Sequence, residues 1–530
     1  MANTMRWRSF SVVAGKLVTE VRFHWRKLAL LGAIAAVVVW LIAALGVWLF
    51  VKYHRDFPGV RYVDLLLPHR WPAYRISAGH HYITRAELLL RQGEVHAALH
   101  QLRAGVARAP AHAKGRLTLA SLYLSGRRPD LARDLMLDGL PHRPDDPAYL
   151  RSTLSLLLEI QEDARLLEVA DRLLASPTHA SLHPIIATYA ATASYYRGNY
   201  DRAEDLIVRH RLRDTADGAT LLARIEWERG YPELAVLRLG DLLTRLPGHD
   251  GARTLLAGYY RELGRSGELE TTLVERLAGD PLAPAPRIDH LHLLHQRGDR
   301  TRLDRDTEVY LTQFRHDSPA LLLLADFAAN TGRPALARRV QQIFMDRREN
   351  NGAPALLVAE AHLVAGEYQA ALGLIDGYSR DYPEWTRQFA SVLNGLQAVA
   401  LVGLGKMDEA RLCLDHLLAQ KNLRADNLVA LANRLAGLGA RDLARAALGR
   451  AVEADPRNQA ALTHLLRLEL DTGNLAALPA RLELYLRTRK PSREILSRTY
   501  AALGSDRYLF LPRQPELLAS LRQTLAAGPR

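Results

Sequence analysis

Glycine recurs along this chain at a spacing that few folds can accommodate. From residue 93 onward, successive glycines that look like turn residues are separated by 33, 72, 32, 34, 34, 34, 34, 39, 34 and 34 positions. The interval of 72 is two units with one degenerate turn, and the interval of 39 is one unit with an insertion near Trp385. A fixed period of this length indicates a repeat array whose units pack only on their neighbours. The glycines are Gly93, Gly126, Gly198, Gly230, Gly264, Gly298, Gly332, Gly366, Gly405, Gly439 and Gly473.

Small residues flank most of these glycines and predict two helices in each unit. The apolar pattern shows no lasting alternation of the kind that strands require. One alanine lies five positions after the glycine and another lies seven before it, where the two helices of a hairpin would cross closely. The first set is Ala98, Ala203, Ala235, Ala337, Ala371, Ala410 and Ala444. The second set is Ala86, Ala191, Ala223, Ala257, Ala325, Ala359, Ala398 and Ala432.

The period, the glycine, the alanines and a closing proline together resemble the tetratricopeptide repeat superfamily. The clearest copies are AGEYQAALGLIDGYSRDYP (365–383) and GLGARDLARAALGRAVEADP (437–456). The resemblance covers about residues 79–490 in about twelve units. It implies an all-α fold, a right-handed superhelical solenoid with a concave groove, placed behind one N-terminal transmembrane helix.

Two units of the array depart from this repeat pattern, and a separate segment follows the last unit. Residues 147–180 lack the turn glycine, and the unit around Gly298 has Leu291 and Leu303 where small residues are expected. We expect these units to pack loosely, to bend the superhelix or to have other boundaries. A solenoid needs a solvated end, and residues 491–530 are predicted to form a C-terminal helical cap.

An uncharged apolar segment, LALLGAIAAVVVWLIAALGVWLFV, fills residues 28–51. A helix of this length spans about 36 Å, enough to cross a bilayer core of about 30 Å. The sequence Ala44-Leu45-Gly46 could serve as a signal-peptidase site, but five more apolar residues follow it. A retained transmembrane helix is therefore the favoured interpretation.

The segments on either side of this helix suggest its orientation. Residues 1–27 form a basic tail, with six Lys/Arg against four in a similar stretch beyond the helix. This bias favours a single-pass protein of the inner membrane, with the N-terminus cytoplasmic and the repeats periplasmic. The proline-rich residues 52–78 are predicted to be a connector rather than a helix.

The basic tail allows two interpretations. Apolar side chains at helical spacing predict an amphipathic helix on the membrane surface, in contact with anionic lipids. Alternatively, the tail is only a positively charged flank of the apolar segment. The apolar residues are Trp7, Phe10, Ala14, Leu17, Val21 and Trp25.

In solenoids that this chain resembles, the first helix of each hairpin lines the groove, at set distances before the turn glycine. Aromatic and arginine side chains on such a face make good anchors for a partner peptide. The stretch Tyr189–Trp227 is the richest in them, although Tyr195, Tyr196 and Trp227 could instead pack between hairpins. The predicted partner-binding residues are Thr188, Thr192, Tyr195, Tyr196, Arg224, Trp227, Arg261, His292, His295, Asp326, Glu360, Asn433 and Arg467.

Other kinds of chemistry find little support in the sequence. His96 and His100, and His292 and His295, share helical faces, but no third metal ligand is evident. The only cysteine, Cys413, allows no intramolecular disulfide and sits in an apolar helical pattern. No phosphate-binding loop, dinucleotide motif or nucleophile elbow is present. We therefore expect no enzymatic activity, no cofactor and no metal.

Of the net charge of +13, +6 lies in residues 1–60, which hold eight Lys/Arg and two acidic residues, and the other +7 is spread over the remaining 470 residues. No basic stripe interleaved with aromatics runs through the remainder, so nucleic acid is not an expected partner. The favoured function is a scaffold that assembles or regulates an export, secretion or polysaccharide machinery of a bacterial envelope. The alternative is a regulatory adaptor on the cytoplasmic face that presents a substrate to a membrane protease or synthase.

Overall fold

A computed structural model describes residues 8–13, 16–21, 25–55, 57–420 and 423–527. The chain divides into two compact units, residues 1–186 and residues 187–530. Helix α9 (His183–Tyr196) contains the division. The first unit holds the N-terminal elements and three helical hairpins, and the second holds the remaining repeats.

An antiparallel β-hairpin precedes the apolar helix. Strand β1 (Arg8–Val13) pairs with β2 (Lys16–Val21), and Arg8 lies opposite Val21. The amphipathic helix expected for the tail is therefore wrong over these residues. Five of the twelve strand residues are β-branched, and such residues favour a strand over a helix. Trp7 and Ala14, which formed part of the predicted helical face, lie outside the described residues.

The apolar segment forms a long helix. Helix α1 (Trp25–Leu49) continues into a π-helical turn at Phe50–His54. Within the described part of the chain, Leu28–His54 is the one stretch long and apolar enough to cross a membrane. Only 6% of its apolar window is buried, so nearly all of this surface faces outward from the protein.

The connector after α1 is more helical than the prolines suggested. It contains α2 (Tyr62–Leu66) and a 3₁₀ turn at Pro68–Arg70, and α3 (Trp71–Arg91) begins inside its expected range. The expectation of a non-helical connector was wrong there because Pro68 and Pro72 stand in first turns. A proline in that position loses no intrahelical hydrogen bond, since its nitrogen would have no partner there.

Helix α2 packs back along α1. The indole of Trp40 donates a hydrogen bond to the Leu66 carbonyl at 2.8 Å, and the Tyr62 hydroxyl donates to the Leu41 carbonyl at 2.9 Å. The Trp48 indole donates to the Val60 carbonyl at 3.1 Å. These contacts join the segment after α1 to the second half of the apolar helix.

Three hairpins complete the first unit. Each pairs a longer first helix with a second helix that returns along it. The bounds are α3 (Trp71–Arg91), α4 (Val95–Arg108), α5 (Ala113–Ser125), α6 (Pro129–Leu137), α7 (Pro147–Glu159) and α8 (Asp163–Leu174). Helix α6 has only nine residues, whereas α4 and α8 have 14 and 12. A 3₁₀ turn at Leu140–His142 follows α6.

The second unit continues the same alternation. Its helices are α10 (Tyr200–Arg209), α11 (Ala216–Glu228), α12 (Pro232–Arg245), α13 (Asp250–Glu262), α14 (Ser266–Gly279), α15 (Pro284–Arg297), α16 (Arg300–Gln313), α17 (Ser318–Asn330), α18 (Pro334–Asp346), α19 (Gly352–Val364) and α20 (Tyr368–Asp381). They are followed by α21 (Pro383–Gln388), α22 (Ala390–Gly403), α23 (Met407–Leu418), α24 (Ala425–Gly437), α25 (Arg441–Ala454), α26 (Gln459–Thr472), α27 (Leu478–Tyr485), α28 (Arg493–Leu503) and α29 (Gln514–Ala527). Helix α21 is the insertion expected near Trp385. Between α3 and α27 the described helices form twelve hairpins, which confirms the predicted solenoid.

The predicted crossing positions are buried. Ala86 and Ala98 are both 0% exposed, and so are Ala325 and Ala337 much further along the chain. The leucines at the same positions around Gly298, Leu291 and Leu303, are also buried, at 1% and 3%. This unit therefore accommodates larger side chains without exposing them.

The turns between paired helices depend on one residue with a left-handed backbone. Ten of the eleven expected glycines have positive φ, as a turn of this kind favours. Gly126 does not, with φ at −80°, and Arg127 takes the left-handed conformation instead. In the unit without a turn glycine, Gln161 takes it, at φ 58°.

Candidate partner-binding groove

The predicted groove residues all lie on first helices of hairpins in the second unit, from α9 to α26, and α22 is the one first helix in this range that holds none of them. The structure leaves some of them open and covers others. Arg261, His295, Asp326, Asn433 and Arg467 are exposed, and Tyr195 is buried. The half-buried members are Thr188, Thr192, Tyr196, Arg224, Trp227, His292 and Glu360.

An aromatic pair links two neighbouring first helices, α11 and α13. The rings of Trp227 and Tyr259 stack in parallel, with centroids 3.8 Å apart and an interplanar angle of 2°. Trp227 therefore packs between hairpins, as the alternative interpretation proposed. Burial raises the pKa of Tyr259 well above its usual value, so its hydroxyl stays neutral.

Polar contacts continue this surface toward the next hairpins. The Arg261 guanidinium lies 3.5 Å from the Asp289 carboxylate, which also pairs with Arg276 at 3.1 Å. His292 packs edge-on against Phe327, with ring centroids 4.8 Å apart, and burial lowers the pKa of its imidazole. A neutral imidazole beside an arginine can both donate and accept hydrogen bonds. This part of the face can therefore bind a polar peptide backbone as well as charged side chains.

Glu360 and Arg434 form an ion pair that spans two repeats, from α19 to α24. Beneath this pair lies a cleft of about 240 Å³, whose apolar wall includes Val392, Leu396 and Leu431. The cleft is small compared with the 300–1,000 Å³ that is usual for ligand sites. It can hold one side chain of a bound segment.

The richest predicted stretch is occupied from within the chain. The Lys490 ammonium donates to the Tyr195 hydroxyl at 2.6 Å and pairs with the Glu228 carboxylate. The Arg489 guanidinium lies 4.0 Å from the centre of the Tyr196 ring. Burial raises the pKa of Tyr195 and lowers that of Lys490. The two tyrosines that we expected to anchor a partner thus hold a segment of the second unit itself.

Of the residues considered for metal or thiol chemistry, His292 and His295 lie on this face, whereas His96, His100 and Cys413 lie on second helices. His96 and His100 are exposed on α4, and no group of three His, Cys, Asp or Glu side chains stands at metal-binding distance within the described ranges. The Cys413 thiol donates a weak hydrogen bond to the Asn394 carbonyl at 3.3 Å, and burial raises its pKa. A raised thiol pKa disfavours the reactive thiolate.

Sequence reasoning missed four contributors to this surface. Tyr259 lies five residues before its turn glycine, whereas the predicted groove residues all lie two, three, six or ten residues before theirs. Asp289 and Arg434 interact through partners one or two repeats away, and Lys490 through partners more than 260 residues away. The spacing rule could be extended to Tyr259, whereas no local signal identifies Lys490.

The paired helices, the left-handed turns and the exposed faces of the first helices define a helical-repeat solenoid, a fold suited to protein–protein interaction. Residues 89–156 match the family described as tetratricopeptide repeat. No curated protein matches the chain in sequence.

Solved structures similar to this chain include three helical-repeat assemblies or proteins. A chain in the structure of Naa15/Naa10 bound to HypK-THB is 14% identical to this one. The match covers 93% of this chain and 79% of that chain, with a TM-score of 0.29. A tetratricopeptide repeat protein from Parabacteroides merdae is 15% identical over 47% of this chain and 96% of its own, with a TM-score of 0.29. A chain of the APC/C hetero-tetramer Cut9-Hcn1 is 13% identical. The match covers 85% of this chain and 98% of that chain, with a TM-score of 0.24.

Proposed function

We propose that this protein is a membrane-anchored scaffold that binds other proteins along the first helices of its second unit. The observation that carries the proposal is a set of exposed polar side chains on the first helices α13, α15, α17 and α24, namely Arg261, His295, Asp326 and Asn433. Their neighbours Trp227 and His292 are half-buried and held by aromatic contacts. Rigid aromatic anchors beside exposed polar groups are typical of surfaces that bind proteins.

Site-specific photocrosslinking in the native host tests this groove. A benzoylphenylalanine at His295, Asp326 or Asn433 should give a discrete adduct with a partner protein. The matched controls are Leu237 and Val309, which are exposed on second helices at 61% and 49%. Adducts of the same size at the controls, or none at the groove positions, would refute the proposed site.

The anchor in this proposal is the apolar stretch Leu28–His54. The basic flank before it supports a cytoplasmic N-terminus and periplasmic repeats. In this arrangement the scaffold would recruit partners for export, secretion or polysaccharide assembly in a bacterial envelope. Its tail would lie near anionic lipids of the cytoplasmic leaflet.

Topology fusions test the orientation. Alkaline phosphatase and a fluorescent protein are each fused after Arg530 and expressed in a Gram-negative host. Active phosphatase together with a dark fluorescent protein is expected. The reverse result would overturn the periplasmic placement and favour the cytoplasmic regulatory adaptor.

A further inference from the structure

A cavity in the first unit lies where the repeat is irregular. Its volume is about 740 Å³, within the range of ordinary ligand sites. It opens beside the shortened helix α6, between the turn at Leu140–Pro144 and helix α8. All of its lining residues belong to the first unit, so it is separate from the groove of the second.

The cavity contains a buried cation without a carboxylate partner. Arg116 is 5% exposed and lines the cavity. Its guanidinium donates to the carbonyls of Pro110 and Leu135, both at 2.6 Å, and no carboxylate among the described residues lies within ion-pair distance. Tyr149 beside it stays neutral, because burial raises the pKa of its hydroxyl to about 12. A buried charge is stabilised strongly by an opposite charge, so this site favours an anion.

Further arginines line the cavity. Arg165 and Arg172 lie on α8 and share the exposed carboxylate of Glu168, and Arg143 pairs with Asp146 at 2.9 Å. Among the lining residues, Asp138 is the only acid, against four arginines and His142. The positive charge of the lining therefore exceeds its negative charge.

The remaining wall is apolar. It joins leucines of the α6–α7 region to the buried face of α8 and the start of α9. The apolar lining residues are Leu137, Leu140, Pro141, Pro144, Leu150, Val169, Leu173, Leu182 and Ile186. Arginine and apolar surface thus stand side by side in one concave site.

We propose that this cavity binds an acidic and apolar peptide segment of a partner protein. Its bulky side chains would pack on the wall around Val169 and Leu173, and its carboxylates would pair with Arg116, Arg165 and Arg172. Arg165 and Arg172 are seven residues apart, about 10 Å along α8. Charges spread over that length match several carboxylates of an extended chain better than one compact lipid headgroup. This inference rests on the proposed protein-binding function but concerns other residues.

A binding assay with a defined probe tests the inference. The full chain in phosphatidylcholine nanodiscs is titrated against a fluorescein-labelled octapeptide of alternating glutamate and leucine, with polarisation as the readout. Binding is expected, together with at least about tenfold weaker binding of the glutamine–leucine counterpart, which cannot form charge-assisted hydrogen bonds. Raising the salt concentration should also weaken binding of the glutamate probe.

Two sets of variants locate the site. The double substitution Arg165→Gln/Arg172→Gln alters exposed side chains, so the fold should survive, and binding should fall at least about tenfold. Arg116→Gln should have a similar effect, with circular dichroism to verify that the helices remain. Arg151→Gln is the matched control, because Arg151 is exposed on α7 and does not line the cavity.

Three results would overturn the inference. They are equal binding of both peptides, unchanged binding in the double variant, and binding of dodecyl phosphate without binding of either peptide. The last would assign the cavity to a lipid-like anion. Photocrosslinking at His295 in the double variant separates the two proposals, since the groove of the second unit should keep its partner when the cavity is disabled.

Discussion

The ammonium of Lys490 lies 2.6 Å from the hydroxyl of Tyr195, a residue 295 positions earlier in the chain. The Lys490 backbone N–H also donates to the Tyr196 carbonyl at 3.1 Å, and its ammonium pairs with Glu228. Through these contacts the second unit closes on itself. The closing segment covers the aromatic residues at the start of the groove, so a partner that uses them must first displace Lys490.

Reversing the charge of Glu228 should open this contact. In Glu228→Lys, two ammonium groups would face each other in a partly buried site, where repulsion is weakly screened. The bonds after Arg487 and Arg489 should then become accessible to trypsin, and we expect cleavage there to accelerate on the order of tenfold. The bond after Lys490 is not informative, because Pro491 follows it. Mass spectrometry of timed digests measures both sites.

Glu262→Lys is the control for this experiment. Glu262 is exposed and stands at the corresponding position one repeat further on, two residues before the turn glycine. Its substitution makes the same change in net charge at a residue that forms no ion pair with Lys490 among the described contacts. Equal acceleration in both variants would mean that net charge, rather than the Glu228–Lys490 contact, controls access to the segment.

The repeat could be predicted because its determinants are local. The crossing alanines and the turn glycine of one hairpin lie within twelve residues of each other, and the same constraint recurs in each unit. The closure by Lys490 could not be predicted in this way. This contact depends on small rotations that accumulate over many repeats. No short sequence pattern predicts the total rotation.

Smaller errors also have physical causes. Gly126 marked the correct turn, but the left-handed residue is Arg127. The hydrogen-bonded turn requires one residue with a left-handed backbone. The residue after the glycine can take that conformation when the helix ends one position later. Helix α6 ends early, at Leu137, and the stop residues Gly139 and Pro141 that follow it fall outside the spacing of the repeat's turn glycines. The arginine-lined cavity beside α6 was therefore not foreseen.

The Trp227–Tyr259 stack should contribute measurably to stability. Trp227→Ala removes a half-buried indole and, with it, the stacking contact to Tyr259. This change should destabilise the second unit by about 2–3 kcal/mol. Trp227→Phe keeps an aromatic ring and should cost about 1 kcal/mol or less. Urea titration followed by far-UV circular dichroism measures both. Equal losses in the two variants would show that the stacking geometry is not the source of the stability.

Two helical glycines should respond in opposite ways to alanine. A Cβ at Gly218 would fall well inside contact distance of the Leu212 carbonyl oxygen, a backbone atom that cannot easily move. Gly218→Ala should therefore destabilise by about 1–3 kcal/mol. A Cβ at Gly258 meets nothing within 4 Å, so Gly258→Ala should stabilise by about 0.5–1 kcal/mol through helix propensity. Thermal midpoints of both variants decide this, and shifts of the same sign would contradict it.

Acid should weaken the contact between Asp250 and Arg276. The Arg276 guanidinium is 8% exposed, lies 2.9 Å from Asp250, and holds the pKa of that carboxyl below its usual value. A carboxyl whose pKa is lowered in the folded state adds stability at pH values above its unfolded-state pKa of about 3.9. That stability is lost as the pH falls through the folded-state pKa. Wild type should thus lose more stability between pH 7 and pH 3 than Asp250→Asn.

The size of this effect is limited because the Asp250 side chain is 66% exposed and Asp289 remains bonded to Arg276 in the variant. We expect Asp250→Asn to cost about 1 kcal/mol or less at pH 7. Asp217→Asn is the control, since Asp217 is exposed in the first turn of α11. Urea midpoints at the two pH values measure the difference. If Asp250→Asn follows the wild-type pH dependence while Asp217→Asn departs from it, the acid-sensitive contact lies elsewhere. If only Asp250→Asn departs, one ion pair between α13 and α14 links protonation to the packing of the two helices of one repeat.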